Sequence, residues 1–520
     1  MGYEPATPQS LASTHLKSMN LLPSLLLLLA PAQDWRAYPL PSVSSTPASP
    51  ASPQLLVNGS HIALRPDPRT QRVRTAEALV APSLLSQLIA ENFSRSSLSL
   101  LPNSRPLMVR AADGDHQELQ AILAALDAAG DSLQIRVEAA LLPGILETPP
   151  ALSDAPAWYS GELRTGDSLT FGARTEVSFL GGYEVDVATD SGAADPLRSS
   201  AATGETIHLR CSRVQGGRAV HVEGVLDLSA LMETSAFDPD TPDLGEVEQP
   251  RLSVAQLAFS GVVEPGAPLR VTLKGAGTFG DRTLFIRAST KQDLAAPTAG
   301  WAVRDLAFLA SAGLPLEPPQ PGLDTTSELT PPMPRPAAEV TPGSLVGLLS
   351  GRSTSGGAPT RIYSTERLLL IPAQSLKALA ETEALIQAME APLLTQRACT
   401  VNFGDLKAEL PATHGRIVRV LVGEEQPLLV DYRTEIAPNT WMPSPVTELL
   451  FDGVCFEAAC ETDALSGRFW VSDTLSVQVT SSSFANLGAL QKVERSFAGG
   501  GLLVRAGEEL TAGPLRLTLR

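Results

Sequence analysis

Residues 105–126 read RPLMVRAADGDHQELQAILAAL. Leu107, Met108 and Val109 form a short apolar run that predicts a strand. Asp113 or Asp115 can cap a helix, and Leu119, Ile122, Leu123 and Leu126 follow at i, i+3, i+4 and i+7, the spacing of one apolar helical stripe. Upstream, Leu79, Leu84, Leu85, Leu88 and Ile89 predict a helix over 82–92. Downstream, Leu133 to Glu138 alternates as a strand. The order helix, strand, helix, strand predicts a small α/β module over 74–140.

Beyond it the period changes from helical to twofold. Thr175–Phe179, Tyr183–Val187, Thr206–Leu209, Ala219–Val225, Leu269–Leu273 and Thr283–Arg287 all alternate apolar with polar residues. Gly181-Gly182 and Gly216-Gly217 read as turns between them. These patterns predict a mainly antiparallel β domain over 141–291. Residues 292–345 are Pro-rich, with Pro315, Pro318, Pro319, Pro331, Pro332, Pro334 and Pro336, and read as a linker or a long insertion.

The same order then returns. Arg367–Ile371 predicts a strand, and Leu376, Leu379, Leu385, Ile386 and Met389 a helix ending before Pro392, giving a second α/β module over 346–397. A second β domain, 398–520, follows. Gly182-Tyr183-Glu184-Val185 parallels Asp431-Tyr432-Arg433-Thr434, and Gly204–Leu209 parallels Asp452–Glu457. The expected fold is α+β: two small α/β modules, each followed by a β domain, joined by Pro-rich linkers and related by an internal duplication.

The stretch Arg105–Leu126 resembles the periplasmic N-domain of bacterial secretins, in which a short strand leads into a helix of this pattern. Gly181–Ala188, Asp195-Pro196, Gly204–Leu209 and Arg218–Ser229 are similar in order and spacing to the second half of the secretin core. The likeness covers roughly 75–290 and, more weakly, 300–480. It implies a protein that assembles with itself, as a ring or another homo-oligomer, alongside envelope secretion or pilus proteins. Two departures stand beside it. The family's Gly/Pro-rich closing segment is not seen, and the region of its membrane-crossing hairpins is shortened to the Pro-rich stretch 141–160. The alternative reading is therefore a soluble periplasmic or surface binding protein built from the same modules without pore formation.

The N-terminus agrees with an envelope address. Lys17 precedes Leu21–Leu22 and Leu25–Leu29, and Ala30-Pro31-Ala32 gives a small-x-small site before Gln33, so residues 1–32 read as a signal peptide. The apolar run is too short for a bilayer core of about 30 Å. Met19 is an alternative start. Residues 33–73, with Pro39, Pro41, Pro47, Pro50 and Pro53, read as an extended tether. The expected location is the periplasm or outer membrane of a Gram-negative-type bacterium. A net charge of −17 argues against nucleic acid and against electrostatic docking on anionic lipid.

Chemistry is sparse. No nucleophile elbow, HExxH, P-loop or kinase motif occurs, and no catalytic residue, cofactor or metal is expected. Lys274–Gly280 mimics a glycine loop but precedes a strand, so a hairpin turn is the better reading. Asp238–Glu246 has the acidity of a calcium loop, but its two prolines break the spacing. Asp113, Asp115 and His116 fit a helix start better than a metal set. His208 and His221 fall on strands that could face each other across a hairpin. Tyr432 and Trp441 read as packing residues. Cys455 and Cys460 flank four residues and form either a local disulfide in an oxidising compartment or a pair of buried free thiols.

Overall fold

The computed structural model describes residues 33–38, 42–45, 75–78, 99–101, 107–149, 158–310 and 363–520, with breaks at 190, 241–243, 291–296, 299, 365–366, 373–375, 438–439, 462, 482–488 and 513–514. The signal peptide expected over 1–32 and the helix expected over 82–92 lie outside the described residues.

The fold is rich in β-structure with few helices. Its first half contains β1 (Gln33–Tyr38), β2 (Ser42–Ser45), β3 (Thr75–Ala78), β4 (Ser99–Leu101), β5 (Leu107–Ala112) and α1 (Asp113–Gly130). It continues with β6 (Gln134–Pro143), β7 (Trp158–Arg164), β8 (Ser168–Ala188), β9 (Ser191–Val214), β10 (Ala219–Phe237), β11 (Val247–Val263), β12 (Leu269–Lys274) and β13 (Arg282–Thr290). The second half contains β14 (Trp301–Asp305), β15 (Tyr363–Ser364), β16 (Leu368–Pro372), α2 (Leu376–Leu393), β17 (Gln396–Phe403) and β18 (Leu406–Thr413). It ends with β19 (Ile417–Ala437), β20 (Thr440–Cys460), β21 (Ala464–Ser481), β22 (Ala489–Arg505), β23 (Glu509–Ala512) and β24 (Leu515–Leu519).

Two eight-stranded sheets dominate. One runs β8-β9-β10-β11-β19-β20-β21-β22, the other β7-β6-β13-β12-β18-β17-β24-β23. Alternation puts Ile207, Val222, Leu257, Val420 and Phe456 of the first sheet against Ile135, Val137, Val271, Ile286, Val401 and Leu517 of the second, in one buried core. Two three-stranded sheets, β1-β5-β4 and β14-β16-β15, carry the helices. The stripe on α1 is buried against Tyr38, Val109 and Ala111 of its own small sheet and against Trp301, Val303, Leu368 and Leu370 of the next. The other face of that second small sheet, Ala302, Leu369 and Ile371, packs on Leu379 and Ile386 of α2.

The strand order has a direction. In both large sheets the second half follows the first in the same sequence of elements, and the end of the first half meets the beginning of the second. The irregularities also recur. β8 bulges at Gly181 and β19 at Val430, each opposite the partner arm of its hairpin. β10 bulges at Met232 and β21 at Leu475.

Several expectations change. Gly181-Gly182 is no turn: the segments 175–179 and 183–187 are one 21-residue strand with a bulge. A glycine pair within alternating sequence marks either feature, and pattern alone does not separate them. Residues 417–437 are likewise one continuous strand. Part of the expected tether is structured. Gln33–Tyr38 pairs with β5, where Tyr38 has a buried seat against His116 that Pro content conceals, and Ser42–Ser45 pairs with Thr75–Ala78. The expected linker likewise holds Trp301–Asp305, an outer strand of the second small sheet. β6 and β17 run in the large sheet, so the module boundaries expected at 140 and 397 fall inside strands. Ala112, not Asp113 or Asp115, is the α1 N-cap. Both aspartates lie in the first turn, where the helix dipole favours them, and Asp113 pairs with Arg36.

Candidate assembly interface

Among the described residues, the buried charged side chains Glu223, Asp227, Arg416, Arg419, Glu457 and Arg468 lie on or near the strands where the two halves meet. β11 pairs antiparallel with β19 from Leu252 opposite Glu425 to Ala258 opposite Arg419, and β12 pairs with β18 at Thr272–Lys274. Ser253, Ala255 and Leu257 of β11 are 7%, 2% and 0% exposed there. The seam is thus a continuation of two hydrogen-bonded sheets, not a contact between surfaces.

Polar side chains cross it. Arg419 donates to Glu457 at 3.0 Å and to Gln256 Oε1 at 2.8 Å, while Gln256 Nε2 donates to Asp227 at 2.7 Å. Arg468 donates to the other oxygen of Glu457 at 3.3 Å. Thr413 donates through its backbone to Ser260 Oγ at 2.9 Å, and His221 Nε2 is hydrogen-bonded to Thr413 Oγ1 at 2.9 Å. Arg416 pairs with Glu223 at 2.8 Å and lies over Phe308, whose ring is 4.6 Å from that of His221. At the rim Arg251 donates to Glu424 at 2.6 Å.

A second seam ties the β7–β8 turn to the second small sheet. Asp305 accepts from Thr165 Oγ1 and from the Ala307 N–H at 2.8 Å, and Arg367 pairs with Asp167 at 2.5 Å. Gly166 holds a left-handed φ of +79° in that turn, and a Cβ there would stand 2.6 Å from the Cβ of Ala307. Beside it lies a cavity of about 330 Å³ bordered by Arg213, Gly217, Arg304, Asp305, Glu383 and Glu390. Arg304 donates to Glu383 at 2.7 Å, which neutralises its charge.

Burial sets the protonation of these groups. It pushes Asp305 up to about 6, against Thr165, the Ala307 N–H, Arg213 and Arg367, which lower it. Glu425 rises to about 7, first by burial and then through the Asp227 carboxylate. Burial lowers His208 to about 4, helped by Arg210, and takes His221 well below its ordinary value, helped by Arg416.

The residues singled out in the sequence are scattered. His208 stands opposite Val225 and His221 opposite Ser212, so the two histidines are not cross-strand partners. Lys274–Gly280 holds a single 3₁₀ turn between β12 and β13. Tyr432 is buried and donates to the Ala489 carbonyl at 3.0 Å, and the Trp441 side chain lies outside the described residues. The disulfide considered for Cys455 and Cys460 does not form. Five positions apart on one strand, they point to opposite faces: Cys455 packs with Phe451 and Trp470, and Cys460 joins the core between the sheets. Burial pushes their thiols up to about 12 and about 11. Among the described residues, no group of three or more His, Cys, Asp or Glu is placed to hold a metal, and no helix is long and apolar enough to cross a membrane.

Pattern reading missed Arg419, Glu457 and Arg468. They sit at alternate positions that read as solvent-facing, yet their side chains are buried. A charge flanked by apolar neighbours, as in Val418-Arg419-Val420, was the available signal. The chain matches no protein-family model and no curated protein.

Proposed function

We propose that the chain is an exported, secretin-like structural protein of the bacterial envelope, taking part in protein secretion or pilus passage by oligomeric assembly. On this reading it is two copies of one secretin-like unit, an α/β module followed by a β domain, and it works without catalysis or cofactor. The carrying observation is the head-to-tail strand order of both large sheets, β11 meeting β19 and β12 meeting β18. Such a junction is heterologous: the end of one unit binds the beginning of the next, and the operation leaves one end of each kind unused. The recurrence of both bulges supports descent of the halves from one unit. The signal-like N-terminus supports export, and Gln33, the residue after its small-x-small site, is already in β1.

The test is expression of the full chain from its own start in a Gram-negative host, with fractionation, N-terminal sequencing and light scattering of the detergent extract. The expected result is a mature chain beginning near Gln33 in the envelope fraction, in particles several times the 54.7 kDa of one chain. An uncleaved cytoplasmic monomer overturns the reading. A cleaved periplasmic monomer favours the binding-protein alternative.

A further inference from the structure

We infer that a second copy of this chain adds its β8 to the β22 edge of the first, antiparallel, with Ser496 opposite Thr175, Ala498 opposite Ala173 and Gly500 opposite Phe171. The inference rests on the assembly reading above and specifies its surface and register.

The template is the junction inside the chain. Residues of β10 and β11 correspond to those of β21 and β22 at a separation of 243, and those of β8 and β9 to β19 and β20 at a separation of 249. Both separations are fixed by the bulges, Met232 with Leu475 and Gly181 with Val430, and by unbroken register around them. Internally, Ser253 faces Glu424, Ala255 faces Val422 and Leu257 faces Val420. Moving the β11 members forward and the β19 members back gives the three pairs stated.

Neither edge carries a further paired strand among the described residues, and on β8 Phe171 faces the core between the sheets, as its counterpart Val420 does, while Ala173 is half-buried. Among the described residues β8 pairs only with β9, and β22 only with β21. Ser496, Ala498, Gly499 and Gly501 are exposed on β22; on β11, where the strand pairs with β19, their counterparts Ser253, Ala255 and Ala258 are buried and Gln256 is half-buried. Leu503 is 57% exposed, and its counterpart Ser260 is 1% exposed beside Thr413. An apolar side chain thus stands on the free edge at a position that the internal junction covers. On β8, Thr175 and Glu176 are exposed. A long strand edge with unpaired N–H and C=O groups is a template for another strand, and Gly499-Gly500-Gly501 leaves no side chain to obstruct its approach.

Directly opposed residues of an antiparallel pair bring their Cβ atoms to about 4.5–5.5 Å, near disulfide range, whereas a two-residue offset does not. The full-length protein carrying Thr175→Cys and Ser496→Cys, oxidised and run without reductant, is expected to give a ladder of covalent multimers. Ala173→Cys with Ser496→Cys, two residues out of register, is expected to give none. The four native cysteines stay, since all are buried. Light scattering of the reduced protein is measured alongside. Multimers in solution with no ladder from the 175/496 pair, or a ladder from 173/496 alone, overturn this interface and leave the assembly reading standing. A monomer at every concentration overturns both.

Discussion

Glu457 is fully buried and shared by two buried guanidiniums, Arg419 and Arg468 at 3.0 and 3.3 Å. Replacing Glu457 with Leu removes the carboxylate that both guanidiniums share and leaves two positive charges, 2% and 8% exposed at the side chain, without that counter-ion. Breaking a buried pair on one side costs about 3–5 kcal/mol, mostly as desolvation no longer offset. Replacing the three residues together, Arg419→Met, Glu457→Leu and Arg468→Met, removes the charges along with their partner and is expected to lie between neutral and about 4 kcal/mol more stable than the native chain. Gln256 then loses one hydrogen bond, worth about 1 kcal/mol. The assay is denaturant unfolding followed by circular dichroism and by tryptophan fluorescence, to which Trp470, buried against Phe451 beside the cluster, contributes. If the single Glu457→Leu variant is no less stable than the triple, the reasoning that the carboxylate holds two desolvated cations fails.

Leu126 is fully buried in the helix stripe that serves both small sheets, so Leu126→Ala is expected to cost about 2–5 kcal/mol in the same unfolding assay. Asp305, raised to about 6, binds its proton more tightly folded than unfolded, so its contribution improves as pH falls through 6 towards 4; native stability relative to Asp305→Asn should rise over that window in parallel denaturations at each pH. His208, lowered to about 4, has the opposite sign: its contribution is complete above 6.5 and lost as pH falls towards 4, which comparison with His208→Gln over the same series checks. All four thiols should resist alkylation in the native state and react after unfolding without reductant, and a mass deficit of two alkyl groups would contradict the free state of Cys455 and Cys460.

The alternating segments at 206–209, 219–225, 269–273 and 283–287 were legible because a half-buried strand imposes a period of two on its own residues, and all lie in strands. Leu119, Ile122, Leu123 and Leu126 were legible for the same local reason with the helical period. What local pattern does not encode is continuity and partnership. Gly181 looks the same in a turn and in a bulge. Gln33–Tyr38 is held by β5, far along the chain, and by Tyr38 meeting His116. Arg419 and Glu457 looked like solvent positions because their partners lie on other strands, Gln256 of the first half among them. The junction itself was invisible, since which strand of one half adjoins which of the other depends on edges, not on side-chain period.

The β11–β19 seam has a consequence for how the chain is made. Synthesis proceeds from the N-terminus, and β11 is complete at residue 263 while its partner begins only at 417. Until then the first half presents a bare strand rim, with Leu252, Val254 and Leu257 at its margin. Closing so distant a pairing is slow, because the loop entropy must be met before any ladder bond forms. During that interval the rim of one nascent chain is open to the β19 of a neighbour as readily as to its own. Exchange of second halves between chains would then be the characteristic misassembly of this protein, favoured by crowded synthesis and suppressed by whatever keeps newly made chains apart.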